Sequence, residues 1–508
     1  MELERVRPLE GYLLILSYMG VILILIGCIV LMPLLTLIPF PEEADQARYF
    51  IIPGACSILA GYLLNLIARD RPRGQLRRHQ DTVIVVSAWI AAILICAVPF
   101  QLTGDYNFTQ AVFECTSGWS TTGLSVVDVT TAPKIFIMFR SIMLFFGGVG
   151  LVLVMLSVLS DSFGMRLYNA EGHSDKLLPN LARSSRTIIA IYAGYILAGT
   201  ALYMCFKMDW FEALNHSIAA LSTGGFSTRS ASIGAYNSLP IELITVVLML
   251  LGCTNFLAHL YLIRGRFKNF FGYCEVKFML ILIAVTVPIG AVLLVHSGLA
   301  TGIGEGLRQS LFQVVSALTT TGFQTIPSFA AWTPALLLMM ILLQLVGGGT
   351  GSTAGGMKQF RVYVLFKEVI WSFRDKFSNC RTVRADTVRY PDRDEVMDDK
   401  QKSEISTFIL LYLLVFAIGT GILTCCGNSI GDSMFEFSSA LGTVGLSVGI
   451  TAYDASPVVL WTETVGMFVG RLEIYVVFLA MFQVARDVKD TAARALAPHH
   501  HAERRKQS

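Results

Sequence analysis

Four times along this chain a short helical pattern runs into a Thr-x-Gly step. The four steps are Ser120-Thr121-Thr122-Gly123-Leu124-Ser125, Ser222-Thr223-Gly224-Gly225-Phe226-Ser227, Thr319-Thr320-Thr321-Gly322-Phe323 and Gly442-Thr443-Val444-Gly445-Leu446-Ser447. Their glycines lie roughly 100 to 120 residues apart, and six positions before each glycine stands Ser117, Ala219, Ser316 or Ser439. Each step lies between two long apolar runs. A fourfold internal repeat of this kind calls for four like wedges around one axis.

The apolar runs set the surroundings. Of 508 residues, 54% are hydrophobic and only 15% charged, with mean hydropathy +0.61. Recurring stretches of 18 or more apolar residues read as membrane spans. Ten are expected, near 12–38, 49–68, 82–102, 134–160, 186–207, 238–264, 276–297, 333–370, 404–426 and 456–487. The pieces near 107–119, 210–222, 306–319 and 431–442 are too short to cross about 30 Å of hydrocarbon. They read as half-helices that enter from one side and return as an irregular strand, which is tolerated only inside protein or beside water. The fold class is therefore all-α and polytopic, with two leading helices and four helix–loop–helix repeats around a central pore. The expected divisions are 1–79 for the leading helices, 80–185, 186–274, 275–375 and 403–490 for the repeats, 376–402 for a cytoplasmic linker and 491–508 for a tail. The first run, behind Arg5 and Arg7, reads as a retained helix.

Basic residues fix the orientation. Arg5 and Arg7, the cluster Arg69 to Arg78, Arg166 to Arg186, Arg264 to Lys277, Arg374 to Lys402 and Arg504 to Lys506 all fall on one face if there are ten spans. That face, with both termini, is cytoplasmic. Glu42, Glu43, Asp45 and Asp105 lie opposite, where the four loops enter. The ten cysteines lack metal spacing and read as small buried hydrophobes, and His499 to His501 read as part of a solvated tail. The expected surroundings are membrane lipid, with no nucleic-acid partner.

The steps suit a monovalent cation. A dehydrated potassium ion is held by rings of weak-field carbonyl oxygens rather than by fixed charge. Glycine permits the backbone this needs, and a helix C-terminus aimed at the centre adds negative potential. The candidate filter residues are Thr121, Thr122 and Gly123, Thr223, Gly224 and Gly225, Thr320, Thr321 and Gly322, and Thr443, Val444 and Gly445. Leu124, Phe226, Phe323 and Leu446 should pack outward behind them.

Two further features lie on the same path. A glycine run, Gly347, Gly348, Gly349, Gly351, Gly355 and Gly356, interrupts the second span of the third unit. No Gly-Lys-Ser/Thr follows at phosphate-loop spacing, and a straight helix is excluded. The segment 347–356 reads as a gate rather than a passive kink. Arg471 lies within the last span, where an arginine is costly unless it faces a cavity or partner, and reads as a barrier in the pore. Glu114, His216, Gln313 and Glu436 occupy matching positions on the half-helices. They either brace the filter or face the outer vestibule. No cluster of titratable residues in the spans suggests an enzyme, no span carries the regular arginines of a voltage sensor, and an ion-coupled carrier would need buried carboxylates, for which Glu114 and Glu436 are the candidates.

These motifs together resemble the TrkH/KtrB/HKT superfamily of potassium transporters, closest to the TrkH branch. The resemblance rests on the four filter segments, on Gly351-Ser352-Thr353-Ala354-Gly355-Gly356-Met357-Lys358, on Met467 to Glu473 and on the two leading spans. It implies K+ as the transported ion, no bound cofactor, a homodimer with one pore per protomer, and a cytosolic TrkA-type regulatory subunit that binds nucleotide. It also implies that serine at position 123 would go with sodium permeation. Gly123 therefore points to potassium, with a sodium or mixed-cation transporter of the same fold as the alternative. Ala354 departs from the glycine typical of the loop.

Overall fold

The computed structural model describes residues 8–68, 80–151, 181–377, 385–391 and 394–496. The expectations for the basic cluster within 69–79, for 152–180 and for the tail beyond 496 lie outside these residues. The described residues form 18 α-helices and one antiparallel pair of short strands, Thr387–Arg389 with Asp394–Val396.

Helix α1 (Pro8–Leu31) and α2 (Ala47–Ala68) form a leading hairpin. It closes tightly because glycines meet carbonyls: a Cβ on Gly27 would lie 2.7 Å from the Gly54 oxygen, and one on Gly61 would lie 2.5 Å from that of Gly20. Small residues permit this approach in a bilayer, where helices associate by packing.

Four units follow. In each, a long helix precedes a short one: α3 (Gln80–Thr103) and α4 (Phe108–Trp119), α6 (Leu181–Cys205) and α7 (Trp210–Leu221), α11 (Cys274–His296) and α12 (Ile303–Leu318), α15 (Asp399–Cys425) and α16 (Ile430–Leu441). The short helices match the expected half-helices within three residues. Asn107, Asp209 and Ser429 cap three of them, so their first turns are satisfied without neighbours.

The closing helices correct the expectation of straight spans. Among the described residues six helices are long and apolar enough to cross a bilayer. The expected spans 238–264 and 456–487 are instead sharply bent. Helix α8 (Leu239–Gly252) meets α9 (Phe256–Ile263) at 116°, and α17 (Pro457–Arg471) meets α18 (Ile474–Leu496) at 100°. In the third unit α13 (Pro334–Val346) is separated from α14 (Gln359–Phe377) by the glycine loop, and α5 (Lys134–Val149) ends at Gly150, whose φ is +97°. Interruption is thus common to several units rather than peculiar to the third. Glycine contacts explain its level. Cβ atoms on Gly147, Gly252 and Gly470 would lie 2.0, 2.3 and 1.9 Å from the carbonyl oxygens of Trp119, Leu221 and Leu441, the last residues of three short helices. In these three units the closing helix touches the end of its short helix through a glycine and breaks within a turn. The remaining connection is α10 (Phe267–Gly272).

Candidate ion path

All four short helices end in the same way. The residue before each glycine donates its N–H to the carbonyl five positions back: Thr122 to Ser117 (2.9 Å), Gly224 to Ala219 (2.9 Å), Thr321 to Ser316 (2.9 Å) and Val444 to Ser439 (2.8 Å). The threonine before it donates three back, as Thr121 does to Gly118 (3.2 Å). This is a Schellman ending, which requires a left-handed residue after the cap. Thr121, Thr223, Thr320 and Thr443 take that place, with φ of +56°, +52°, +55° and +53°. A threonine there costs about 1–2 kcal/mol relative to a right-handed site. The same strained choice recurs in all four units.

The strands then close a ring. A Cβ on Gly123 would lie 2.5 Å from the Gly224 oxygen, and one on Gly225 would lie 2.1 Å from that of Thr321. One on Gly322 would lie 2.0 Å from the Val444 oxygen, and one on Gly445 would lie 2.1 Å from that of Thr122. Each glycine faces the carbonyl of the next unit, in the order one, two, three, four, one. Only glycine fits, because the neighbour is backbone. Leu124, Phe226, Phe323 and Leu446 are buried behind the ring, as expected. A cavity of about 380 Å³ opens over it, lined by all four glycines together with Ser125, Ser227 and Ser447 among others.

The matching polar residues of the short helices brace the strands. Ser125 Oγ donates to Glu114 (3.0 Å), His216 Nε2 lies 3.0 Å from Ser227 Oγ, Gln313 Nε2 donates to Thr325 (3.2 Å) and Ser447 Oγ donates to Glu436 (2.6 Å). All four are fully buried, so bracing is their place rather than the open vestibule. Glu114 also pairs with Arg140 at 2.7 Å, and the Arg140 guanidinium stacks on Phe226. The serines six before each glycine add a second brace. Ser117 and Ser439 accept the N–H of Gly123 and Gly445 (both 3.0 Å), and Ser316 donates to the Phe323 carbonyl (2.6 Å). Ala219 cannot, so the second unit lacks this bond.

The glycine loop sits directly against the ring's threonines. Gly355 donates to Thr320 Oγ1 (2.9 Å), Thr223 donates to Thr353 (3.1 Å), and a Cβ on Gly355 would collide with Thr443 Oγ1. Further bonds tie the loop to the bend of the second unit and to the start of α11. Gly349 donates to the Cys253 carbonyl (2.9 Å), Phe256 donates to that of Gly351 (3.0 Å) and Thr350 donates to Glu275 (2.8 Å). Gly347 and Gly356 hold φ of +71° and +78° and nearly touch, closing the loop's neck. Ala354 fits because Gly348 leaves room: a Cβ there would lie 2.2 Å from that of Ala354.

Arg471 completes the arrangement. Its guanidinium donates to the Thr353 carbonyl of the loop, to Gly147 (2.6 Å) and to Gly148 (3.1 Å) at the end of α5. One side chain therefore links the first, third and fourth units. Glu473 does not serve it, since it pairs with Arg361 of α14 at 2.7 Å. Sequence reasoning missed Gly147, Gly252 and Gly470, whose common place in three units was the available signal, and Arg140, whose partner Glu114 was in view.

A ring of four re-entrant strands inside a multi-pass helical bundle defines a membrane transport protein. The model of the TrkH family, described as a cation transport protein, matches residues 48–487. The Trk system potassium uptake protein TrkH of Halomonas elongata is 30% identical over 480 residues, covering 91% of this chain and 97% of that one. An uncharacterised cation transporter of Methanocaldococcus jannaschii is 29% identical, covering 92% and 94%. The crystal structure of the potassium transporter TrkH from Vibrio parahaemolyticus superposes with a TM-score of 0.80 at 25% identity, covering 92% of this chain and 98% of that one. The chain belongs to the TrkH family: it is a multi-pass cation transporter, not an enzyme.

Proposed function

We propose that this protein takes up potassium ions across the cytoplasmic membrane through the four-strand ring. The observation that carries the reading is the closed cycle of glycine-to-carbonyl contacts, which gathers the oxygens of Thr122, Gly224, Thr321 and Val444 around one axis. Such a set replaces the hydration shell of a large monovalent cation without binding it too tightly to leave. Relatives described as potassium uptake proteins support the choice of ion.

Ions enter from the outer cavity, lose water along Thr121–Gly123, Thr223–Gly225, Thr320–Gly322 and Thr443–Gly445, and meet the loop. The segment Gly347–Gly356 is the gate, and Arg471, bonded to it and to α5, holds it closed and opposes a cation below the ring. In this reading the repeats are 80–185, 186–274, 275–375 and 403–490, behind the leading helices of 1–79. The working unit is a homodimer in lipid with a cytosolic TrkA-type nucleotide-binding subunit, a partnership that rests on the relatives being named components of a Trk system.

Cation uptake into liposomes holding the purified protein tests the reading. Potassium and rubidium should enter while sodium and lithium do not. Equal sodium uptake overturns the potassium assignment in favour of a mixed-cation transporter. Removing Gly348 to Gly355 should raise the flux, and an equal or lower flux in a folded protein counts against a gate.

A further inference from the structure

The first and fourth units place opposite charges in one slot. Arg140 stands seven residues before Gly147, and Glu463 stands seven before Gly470. Both glycines rest on the last carbonyl of their short helix, so the two side chains occupy equivalent positions. In the first unit the slot's guanidinium neutralises Glu114. In the fourth the matching acid, Glu436, meets a second acid instead. Both carboxyls are fully buried, and among the described residues neither forms an ion pair.

Hydrogen counting fixes what replaces the missing cation. Thr451 Oγ1 lies 2.5 Å from Glu436 Oε1 and 3.0 Å from Glu463 Oε2. A hydroxyl has one hydrogen and can donate to only one of them. Glu436 already accepts from Ser447 Oγ (2.6 Å) and from the backbone N–H groups of Val448 (2.9 Å) and Thr451 (3.0 Å), an environment built for an anion. Glu463 accepts none of these, and its Oε1 is buried with no partner. An orphaned carboxylate oxygen would be far costlier there than the carbonyl oxygen of a neutral acid.

We propose that Glu463 is a proton-binding site. Its carboxylic acid donates to Thr451, which donates in turn to the Glu436 carboxylate, so that one proton does in the fourth unit what Arg140 does in the first. Loss of the proton leaves two like charges across one hydroxyl. The strand from Gly445 to Thr451, which holds the fourth wall of the ring and lines the outer cavity, then loses its brace. Other titratable groups on the surrounding elements do not supply a substitute. Helix α4 carries Glu114, already paired, and Cys115. Helix α16 carries Asp432, held by Ser429 at its exposed end. The strand leads to Tyr453, bonded to the Asp105 carbonyl, and Asp454. Helix α15 carries Tyr412 and Cys425, with its charged residues confined to its first turns, and α18 carries its charges beyond Val484. The link to transport rests on the filter reading above, while the proton site does not.

Infrared spectroscopy of the full-length protein in lipid tests the site directly. At neutral pH a protonated-carboxyl band should be present in the wild type, absent in Glu463→Gln and retained, shifted, in Glu463→Asp. No such band, or its persistence in Glu463→Gln, overturns the proposal whatever the protein transports. Rubidium uptake against external pH tests the consequence. Wild-type uptake should fall several-fold as the outside becomes alkaline, Glu463→Asp should keep a pH-dependent fall, and Glu463→Gln should lose it. Identical profiles in wild type and Glu463→Gln overturn control of the ring by this proton. Failure of selective cation uptake in all variants, with the band behaving as stated, would overturn the filter reading alone.

Discussion

Serine at position 123 and serine at position 322 should behave differently, although both replace a ring glycine. Both positions have φ in the region that L-residues avoid, +98° and +85°, at a cost of about 1–2 kcal/mol each. The contacts separate them. A new Cβ essentially never sits closer than 3.0 Å to another heavy atom, so the Gly224 oxygen must retreat at least 0.5 Å from its 2.5 Å contact at position 123. The Val444 oxygen must retreat at least 1.0 Å from its 2.0 Å contact at position 322. Overpacking of this kind adds about 1–3 kcal/mol. Even the lower sum, about 2 kcal/mol, corresponds to a factor of roughly thirty in an equilibrium. The strain is relieved only by moving an oxygen of the ring, so it falls on the ion that uses that oxygen. Gly123→Ser should keep rubidium uptake but lose on the order of tenfold in its preference over sodium, a loss of about 1.4 kcal/mol. Gly322→Ser should abolish uptake or folding. Paired rubidium and sodium flux in liposomes, with size-exclusion profiles as the folding control, decides it. An unchanged ion preference in folded Gly123→Ser, or a milder effect at position 322 than at 123, would refute the argument.

Other outcomes follow from the same geometry. Arg471→Gln should raise rubidium flux several-fold, because it releases the Thr353, Gly147 and Gly148 carbonyls together; unchanged flux would remove Arg471 from the gate. Thr353→Val deletes a hydroxyl that donates to the Gly252 carbonyl (2.9 Å) and lies within reach of that of Leu221 (3.2 Å), and should lower the melting temperature and raise basal flux, a combination that calorimetry and flux read separately. Arg140→Ala leaves Glu114 buried and uncompensated, which costs about 3–5 kcal/mol, so thermal unfolding in detergent should shift strongly downward while Arg140→Ala with Glu114→Gln recovers part of the loss. Between α14 and α15, burial raises the Asp386 carboxyl, but bonds from Lys402 and Arg374 outweigh it and hold it below the usual range. A lowered folded value means the pairing is fully stabilising above the ordinary aspartate range and is lost as pH falls through the lowered one. Protection of the amides around Val388 and Met397, relative to their intrinsic exchange rates, should therefore fall only on acidification, and Asp386→Asn should show the low protection at neutral pH.

The short helices and the strands after them were legible because their signals are local. Half-length apolar periodicity, a capping residue at Asn107, Asp209 or Ser429 and a terminal Thr-x-Gly need no knowledge of neighbours. The bends at Cys253–Asn255 and at Leu472–Glu473 were not legible. The residues on either side are apolar enough to read as one span, and the break comes from a tertiary contact in which Gly252 and Gly470 sit on the ends of other helices. For the same reason the roles of Glu114 and Glu436 stayed open in the sequence. A pore-facing and a strand-bracing carboxylate have the same neighbours in the chain, and only the partner, Arg140 in one case and Glu463 with Thr451 in the other, distinguishes them. Glu473 is a further case: two residues beyond Arg471, its left-handed backbone at φ +59° turns it to Arg361, a partner 112 residues away in the chain.

A pore assembled from identical subunits must repeat every residue at every wall. Here four walls are written separately in one chain. On the proposed path Arg471 is therefore one positive charge where symmetry would have imposed four. The slot of Arg140 can hold a guanidinium in one wall and an acid in another, and the serine brace can be dropped at Ala219 without being lost elsewhere. Each wall can differ alone, so long as the four glycines that interlock them remain. Substitutions elsewhere in a wall are tuned one at a time, while a change at any ring glycine is felt by its neighbour around the circle.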